Sequence, residues 1–495
     1  MQVNLEASPL VQQVCAFFRD REVPAWLVGG FVRDALLGRP TNDVDVAVET
    51  DGLRWARELA DALDGAFVPL DPEHDTGRVV VREAKGVTYV DVAAFRAPTL
   101  EEDLRARDFT VNALAADVRT GEVVDATGGL ADLNRFRLRV IRPSTFQQDP
   151  VRLLRAVRLA VSLSFTLEPE TEARVRAEAG LLTRAAAERV LIELIKMLED
   201  NTLAALLLMD DLRLLPFVLP ELAACQGEEQ PPPHTLDVYG HTLEALAKLE
   251  RLWPWRSGPD EAWAERFWGR PLGRHRQPLT RYLEERVTFA LSRRELLKLA
   301  VLLHDVGKPP TRSVDERGRI HFYRHEHVGA RLAAERLRAL RFPERAVRWV
   351  ERIVRHHMRP FHLSRSSRPS RRALYRYFRD TGDAAPAIAI HSVADHLAKG
   401  GAHALDDLRR VAHRVWDAYF RPDELLVNPR PLLDGHALQR LGIPPGPELG
   451  RLLERLKEAQ AVGAVRTVEE AEQYVRRVWA TWHSGNAKET TEKQQ

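Results

Sequence analysis

The stretch LVGGFVRDALLGRPTNDVDVAV, residues 27–48, sets two carboxylates, Asp43 and Asp45, one residue apart inside a valine-rich run. A buried anion without a partner is costly, so a strand of this composition keeps such a pair only where something compensates it. Strand alternation sends residues i and i+2 to the same side, and both carboxylates then face one point. That arrangement suits Mg²⁺, a hard cation that takes oxygen ligands and keeps waters and substrate phosphates in its shell. Just upstream, Gly29 and Gly30 let backbone amides approach a triphosphate, and Arg33 is placed to contact phosphate. A third carboxylate, Asp91 in YVDVAAF, lies in a later strand-like run and is expected to join the cluster. Three carboxylates and a glycine turn describe a two-metal nucleotidyl-transfer site, one metal activating a hydroxyl and the other steadying the triphosphate. The plainer alternative is a capped surface strand with solvated aspartates.

The elements that must hold these residues can be read from pattern. Residues 1–140 mix helical text with short β-rich runs (AWLVGG, DVDVAV, GRVVV, VTYVDVAAF, NALAADV), which predicts an α+β head. From 141 to 225 apolar residues and arginines recur at three- and four-residue spacing in DPVRLLRAVRLAVSLSF and AAAERVLIELIKMLED, which predicts an all-helical neck. The polar, proline-rich CQGEEQPPPHT cannot continue a helix and reads as a linker at a domain boundary. A second helical block, 234–420, carries most of the histidines, and a helical segment, 421–495, ends in a polar tail expected to fray. The length of 495 residues suits several cores, and 73 Lys+Arg against 71 Asp+Glu gives a net charge of only +2, which hides local basic faces. The two cysteines, Cys15 and Cys225, are too few for a disulfide framework and point to a reducing compartment, the cytoplasm. No charged-then-apolar leader opens the chain, and no apolar run approaches the ~18 residues that span a bilayer, so no membrane partner is expected.

Five segments, GGFVRDALLG with DVDVAV, DLRARDFTVNALA, DATGGLADL, DPVRLLRAVRLAVSLSF and ERVLIELIKML, occur in an order that resembles the bacterial class II tRNA nucleotidyltransferase and poly(A) polymerase family over residues 25–225. The resemblance implies a polymerase-β-like head with Asp43 and Asp45 as catalytic Mg²⁺ ligands. It implies that Arg107, Asp108 and Asn112 hold the sugar and triphosphate, and that Gly128, Gly129 and Asp132 join head to neck. Ala106 stands where the family usually has a first arginine. Asp149 and Arg152 match the nucleobase-selecting pair, with Gln148 at a position that usually supports the arginine. The chemistry fits, since a carboxylate accepts from the exocyclic amine of C or A while a guanidinium donates to ring acceptors. Arg155 and Arg158 are read as phosphate contacts or as a solvated helix face; Glu188 and Arg189 are expected to pack the neck or brace the template. Between Asp91 and RDFT there is almost no room for the flexible loop that A-adding members carry. CC addition is therefore favoured over complete CCA addition. Poly(A) polymerase is the rival within the family, and a metal-dependent phosphohydrolase with an RNA-binding head is the rival outside it. The implied partners are tRNA, CTP and, as a second nucleotide, ATP, and not DNA.

In the second block, YGHTLEAL, LLHDVGKPPT, YRHEHVGA, IVRHHMRP and HSVADHLAKG resemble the HD phosphohydrolase domain. The resemblance assigns His241, His304, Asp305 and Asp395 to a first metal, with His325 and His357 for a second. Imidazole plus carboxylate suits Mn²⁺, Ni²⁺ or another transition metal that would activate water on a phosphodiester. The arginine- and tyrosine-rich stretch 362–380 reads either as an RNA surface or as a solvated helix with its aromatics in the core.

Overall fold

The computed structural model describes residues 1–6, 8–41, 43–83, 86–252, 270–366, 369–399, 405–420, 424–427 and 429–491. They form two compact units, Met1–Val218 and Leu219–Gln495. The segments read as head and neck thus share one unit, and the break falls upstream of the proline-rich stretch. No helix among the described residues is long and apolar enough to cross a membrane.

The first unit is built on a seven-stranded sheet of β1 (Ala25–Val28), β2 (Asp43–Val48), β3 (Ala66–Asp71), β4 (Thr76–Glu83), β5 (Gly86–Ala94), β6 (Leu114–Asp117) and β7 (Val123–Asp125), in the order β3-β4-β5-β2-β1-β6-β7. Only β2 and β5 run parallel, and their register sets Asp45 opposite Asp91. Alternation in β2 buries Val44, Val46 and Val48, and in β5 buries Val90 and Val92, which leaves the aspartates on the other face. Helices α1 (Pro9–Asp20), α2 (Gly30–Leu36), α3 (Gly52–Ala62), α4 (Leu100–Arg105) and α5 (Gly129–Asn134) complete the head; α6 (Thr145–Gln148), α7 (Arg152–Leu163), α8 (Pro169–Glu178), α9 (Ala187–Glu199) and α10 (Thr202–Asp211) follow. The connection from β5 to α4 is only residues 95–99. It is tied at its start, where the Phe95 amide donates to the Val48 carbonyl and the Arg96 amide to the Asp103 carboxylate, and at its end, where the Thr99 hydroxyl accepts from the Glu102 amide at 3.3 Å and caps α4.

DATGGLADL acts as a clasp. The Asp125 carboxylate accepts from the amides of Thr127, Gly128, Gly129 and Leu130 at 2.8–3.1 Å. Asp132 then accepts from the Thr110 hydroxyl at 2.7 Å and from Arg139 Nε at 2.8 Å, which pins RDFTVNA in place.

The second unit is helical apart from a hairpin of Arg312–Val314 and Ile320–Phe322. Here the proline-rich stretch is not a free tether: the Val238 amide donates to Glu228 and the Tyr239 amide to Cys225, folding it back on the helix Val238–Leu252. The choice left open for 362–380 falls to the core reading. In the helix Arg371–Thr381, Leu374, Tyr375, Tyr377 and Phe378 are buried. Arg372 and Arg376 both pair with Glu458, at 3.0 and 2.8 Å, and Arg379 pairs with Asp380 at 2.8 Å. Both tyrosines and three of the arginines are therefore engaged within the protein; Ser367 and Arg368 of this stretch lie outside the described residues. The helix Val468–Thr491 runs through most of the polar end expected to fray, whose last residues, 492–495, lie outside the described residues.

A Cβ added at Gly129 would lie 2.2 Å from the Thr110 carbonyl oxygen, a backbone atom that cannot step aside. Gly129→Ala is expected to cost roughly 1–3 kcal/mol, read as a lower urea midpoint. Gly38→Ala, at φ +65° with nothing within 4 Å of the new Cβ, is expected to cost only about 1 kcal/mol.

Candidate functional sites

In the first unit a cleft of ≈ 520 Å³ runs from the aspartates of the sheet to the start of α7. A second cleft of ≈ 220 Å³ meets it across Asp45 and Asp91. Gly29 sits between β1 and α2 at φ +70°, where an added Cβ would come 3.1 Å from the Arg107 guanidinium and 3.5 Å from Asp45. Glycine is thus required both by conformation and by the approach of backbone to the carboxylates. Asp45 feels the crowding most: burial, Asp91 and Asp43 push its carboxyl up to about 6, with Arg107 and Arg155 opposing. Such a group calls for a cation, and the donor set, three carboxylates on two adjoining strands, is of the hard-oxygen type. Asp91 is already held by Arg78, whose Nε and Nη2 each donate at 2.7 Å. Among the described residues the three aspartates do not lie at metal-ligand spacing from one another, though the strand register sets Asp91 directly opposite Asp45.

The residues of RDFTVNA are brought into the same cleft. Burial disfavours a charge on Asp108, but Arg155 at 2.7 Å, the Asn112 amide at 3.1 Å and the Phe109 backbone amide at 2.7 Å hold its carboxyl below the usual range. Asn112 also accepts from Arg33 at 2.5 Å, and Arg33 donates to Asp34 at 2.8 and 2.9 Å. Arg107 leans on Asp103 at 3.3 Å. Arg33 lines the smaller cleft and Arg107 the larger, and Ala106 is part of the larger cleft's wall.

At the other end, Asp149 is clamped by Arg189 of α9, whose two terminal nitrogens donate at 2.8 and 2.7 Å, with Arg152 Nε 3.5 Å away. Arg189 thus fixes the Asp149 carboxylate from a neighbouring helix. Gln148 does not support Arg152: its amide donates to Ser144 at 3.2 Å, and Arg152 instead reaches the Thr145 carbonyl at 3.5 Å. Arg158 is neither solvated nor free, being paired with the buried Glu193 at 2.5 Å.

In the second unit His241, His304 and Asp395 form one group at metal-ligand spacing, and Asp305, His325 and His357 form another. The sequence assigned four ligands, His241, His304, Asp305 and Asp395, to one metal and His325 and His357 to a second, and all six are brought together here. Asp305 sits between the groups, 3.0 Å from His304 Nε2 by one oxygen and 3.6 Å from His325 Nε2 by the other. The Nδ1 atoms of His304, His325 and His357 each bond the carbonyl three residues back, at 2.7, 2.9 and 2.7 Å, so Nε2 is the nitrogen left for a metal. These tethers and the mixed imidazole-carboxylate set fit a transition metal. Two lysines escaped the sequence reading: Lys308 Nζ lies 2.6 Å from Asp305 and Lys399 Nζ 3.0 Å from Asp395. Their spacing, i+3 and i+4 from the aspartates on helical text, was the available signal. Burial works against the charges of Asp305 and Asp395, yet the lysines and imidazoles hold both carboxyls well below the usual range. His234, from the proline-rich stretch, lines the ≈ 240 Å³ cavity with its Nδ1 on the Pro231 carbonyl at 3.0 Å, and no sequence spacing announced it.

Because Asp45 is crowded by like charge, Asp45→Asn is expected to raise the thermal unfolding midpoint in the presence of EDTA at pH 7. Asp149→Asn, which leaves Arg189 and Arg152 without their acid, is expected to lower it under the same conditions. Calorimetry of the two variants decides both.

Residues 25–139 match the poly A polymerase head domain, 164–226 a probable RNA and SrmB-binding site of polymerase A, and 278–399 the HD domain. The chain is 36% identical over 462 residues to a CC-adding tRNA nucleotidyltransferase of Thermus thermophilus, covering 91% of this chain and 93% of that one. It is 37% identical over 470 residues to an A-adding tRNA nucleotidyltransferase of Deinococcus radiodurans, covering 92% and 95%. A CCA-adding enzyme solved in its apo form I shares the fold, at TM-score 0.60 and 21% identity over 96% of this chain and 95% of that chain. The chain therefore belongs to the tRNA nucleotidyltransferase family, enzymes with a poly(A) polymerase-type head that here carries a C-terminal HD domain.

Proposed function

We propose that the enzyme adds two cytidylates, and no adenylate, to the 3′ end of tRNA, with CTP as donor. The observation that carries this reading is the tied connection at residues 95–99, between the strand of Asp91 and the helix before RDFT. Asp149 accepts from the cytosine amine and Arg152 donates to its ring acceptors, while Arg189 fixes the direction of the carboxylate. Recognising adenine requires those donors and acceptors to shift, and a displacement near 1 Å costs about 100-fold in rate. A turn bonded at both ends has no slack to drive such a shift. At the far end of the cleft Asp43 and Asp45, with Asp91 beside them, would hold Mg²⁺, which when bound lowers the charge barrier to phosphoryl transfer. There the tRNA 3′ oxygen forms its bond to the α-phosphorus as the bond to pyrophosphate breaks. Arg107, Asp108 and Asn112 position the sugar.

The HD unit is read as a metal-dependent phosphohydrolase using Mn²⁺, Ni²⁺ or a related ion, held by the two groups that share Asp305. Both activities are placed in the cytoplasm, in keeping with the two buried free cysteines.

Relatives of nearly equal identity carry opposite specificities, so product sequencing is the decisive experiment. Full-length protein given CTP and ATP together, with tRNA lacking its whole terminal trinucleotide, is expected to add two C residues and stop. A complete CCA end, addition of A alone to a CC-ended tRNA, or a poly(A) tail would each overturn CC addition. Asp43→Ala is expected to abolish incorporation in all cases.

Metal analysis after dialysis against Mn²⁺ tests the second unit. His357→Ala is expected to lose one bound ion and Asp305→Ala both, with CMP addition retained; equal losses in the two variants would contradict the shared-aspartate arrangement.

A further inference from the structure

Helix α9 carries Arg189, Glu193 and Lys196 at i, i+4 and i+7, which places all three on one face. The first two are engaged with the template region: Arg189 on Asp149, Glu193 on Arg158. Lys196 continues the same row toward the aspartates and lines both clefts. The four other cations of the smaller cleft are ion-paired: Arg33 with Asp34, Arg78 with Asp91, Arg155 with Asp108 and Arg158 with Glu193. Among the described residues Lys196 has neither an ion pair nor a side-chain hydrogen bond, and it stands in the wall of the clefts, partly covered but open to solvent. Partial burial against Arg158 and Arg155 presses its pKa down, only partly relieved by Glu193 and Asp43. An unpaired ammonium among other cations is a place where an anion is missing.

Position says which anion. Asp149 and Arg152 line only the larger cleft, whereas Gly30, Asp45, Asp91, Asn112, Arg155 and Lys196 line both. A nucleotide whose base meets Asp149 must carry its phosphates into that shared region to present them to the aspartates.

We infer that Lys196 binds the phosphates of the incoming nucleotide, closing a row that reads the base with Arg189 at one end and grips the triphosphate at the other. This rests on the assignment of Asp149 and Arg152 as the template and of the aspartates as the reacting end. A mobile ammonium suits the task, because it can follow pyrophosphate out of the site without breaking an ion pair.

The test measures initial rates of CMP incorporation by full-length enzyme and its Lys196→Met and Lys196→Arg variants. Lys196→Met is expected to raise the KM for CTP and the inhibition constant of pyrophosphate about tenfold each, the scale of one charge-assisted contact. The KM for tRNA and the preference for CTP over UTP stay as in the parent, Lys196→Arg restores most of the loss, and the unfolding midpoint is unchanged. An unchanged KM for CTP, or a comparable rise in the KM for tRNA that assigns the lysine to the primer backbone, overturns the inference. Failure of the underlying assignment shows separately, as retained CMP addition in Asp43→Ala or unaltered base choice in Arg152→Ala.

Discussion

Like charges gathered in a poorly hydrated cleft repel one another strongly, and the parallel register of β2 and β5 makes this gathering unavoidable by setting Asp45 beside Asp91 with Asp43 one step away. Much of the first unit can be understood as compensation. Arg78 reaches from β4 to hold Asp91, Arg107 approaches Asp45 over a glycine that leaves it room, and Arg155 approaches from α7 to hold Asp108 and temper Asp45. Among the described residues neither Asp43 nor Asp45 has an ion pair, which suits them to the metal proposed for this site. A site that neutralised every carboxylate would fold more easily and bind nothing.

The same ion pairs explain why head and neck segments form one unit. Asp108 lies between β5 and β6 of the head's sheet while Arg155 lies on α7; Asp149 precedes α7 while Arg189 lies on α9. Each pair is worth little if its partners are fixed by nothing else, and removing one partner of a buried pair leaves an expensive orphan. Packing therefore comes first: Leu153, Leu154, Val157 and Leu163 of α7 and Leu194, Met197 and Leu198 of α9 are buried, which sets the polar faces of the two helices toward the cleft. The charged pairs then fix how those groups are oriented in the cleft.

How much of this was legible in sequence follows from how local each cause is. Asp43 and Asp45 were legible because period-two alternation is a property of the strand itself. His304 and Asp305 are adjacent, and the pattern around them is long enough to be recognised. Arg78 was invisible, since its role depends on the pairing of β4 with β5, which no spacing encodes. The stretch 362–380 shows the converse: its composition left an RNA surface and a core helix both open, and only the fold shows that Glu458, far along the chain, accepts two of its arginines and that the core takes its rings. Gln148 failed for a third reason, in that its neighbour Ser144 offered a nearer partner than Arg152. The proline-rich stretch was legible as a non-helical linker, but its place in the wall of a cavity was not, because a polar loop leaves no trace of that in sequence.

The two centres meet the same electrostatic demand with different residues, and the difference bears on what each can exchange. On Asp91 the compensating group is a planar guanidinium bonded to both oxygens, a rigid arrangement that competes with any third ligand. On Asp305 and Asp395 the compensating groups are lysines, single contacts on flexible stems anchored one turn away. An ammonium can swing aside when a cation arrives and return when it leaves, so both aspartates stay ionised with or without metal. Asp305 gains most from this, because it faces both ligand groups and must remain a carboxylate for either to form. The lysines thus keep a buried cluster of three histidine tethers and two acids folded and ready for metal, a task that arginine at the same positions would perform only by occupying the ligand oxygens itself.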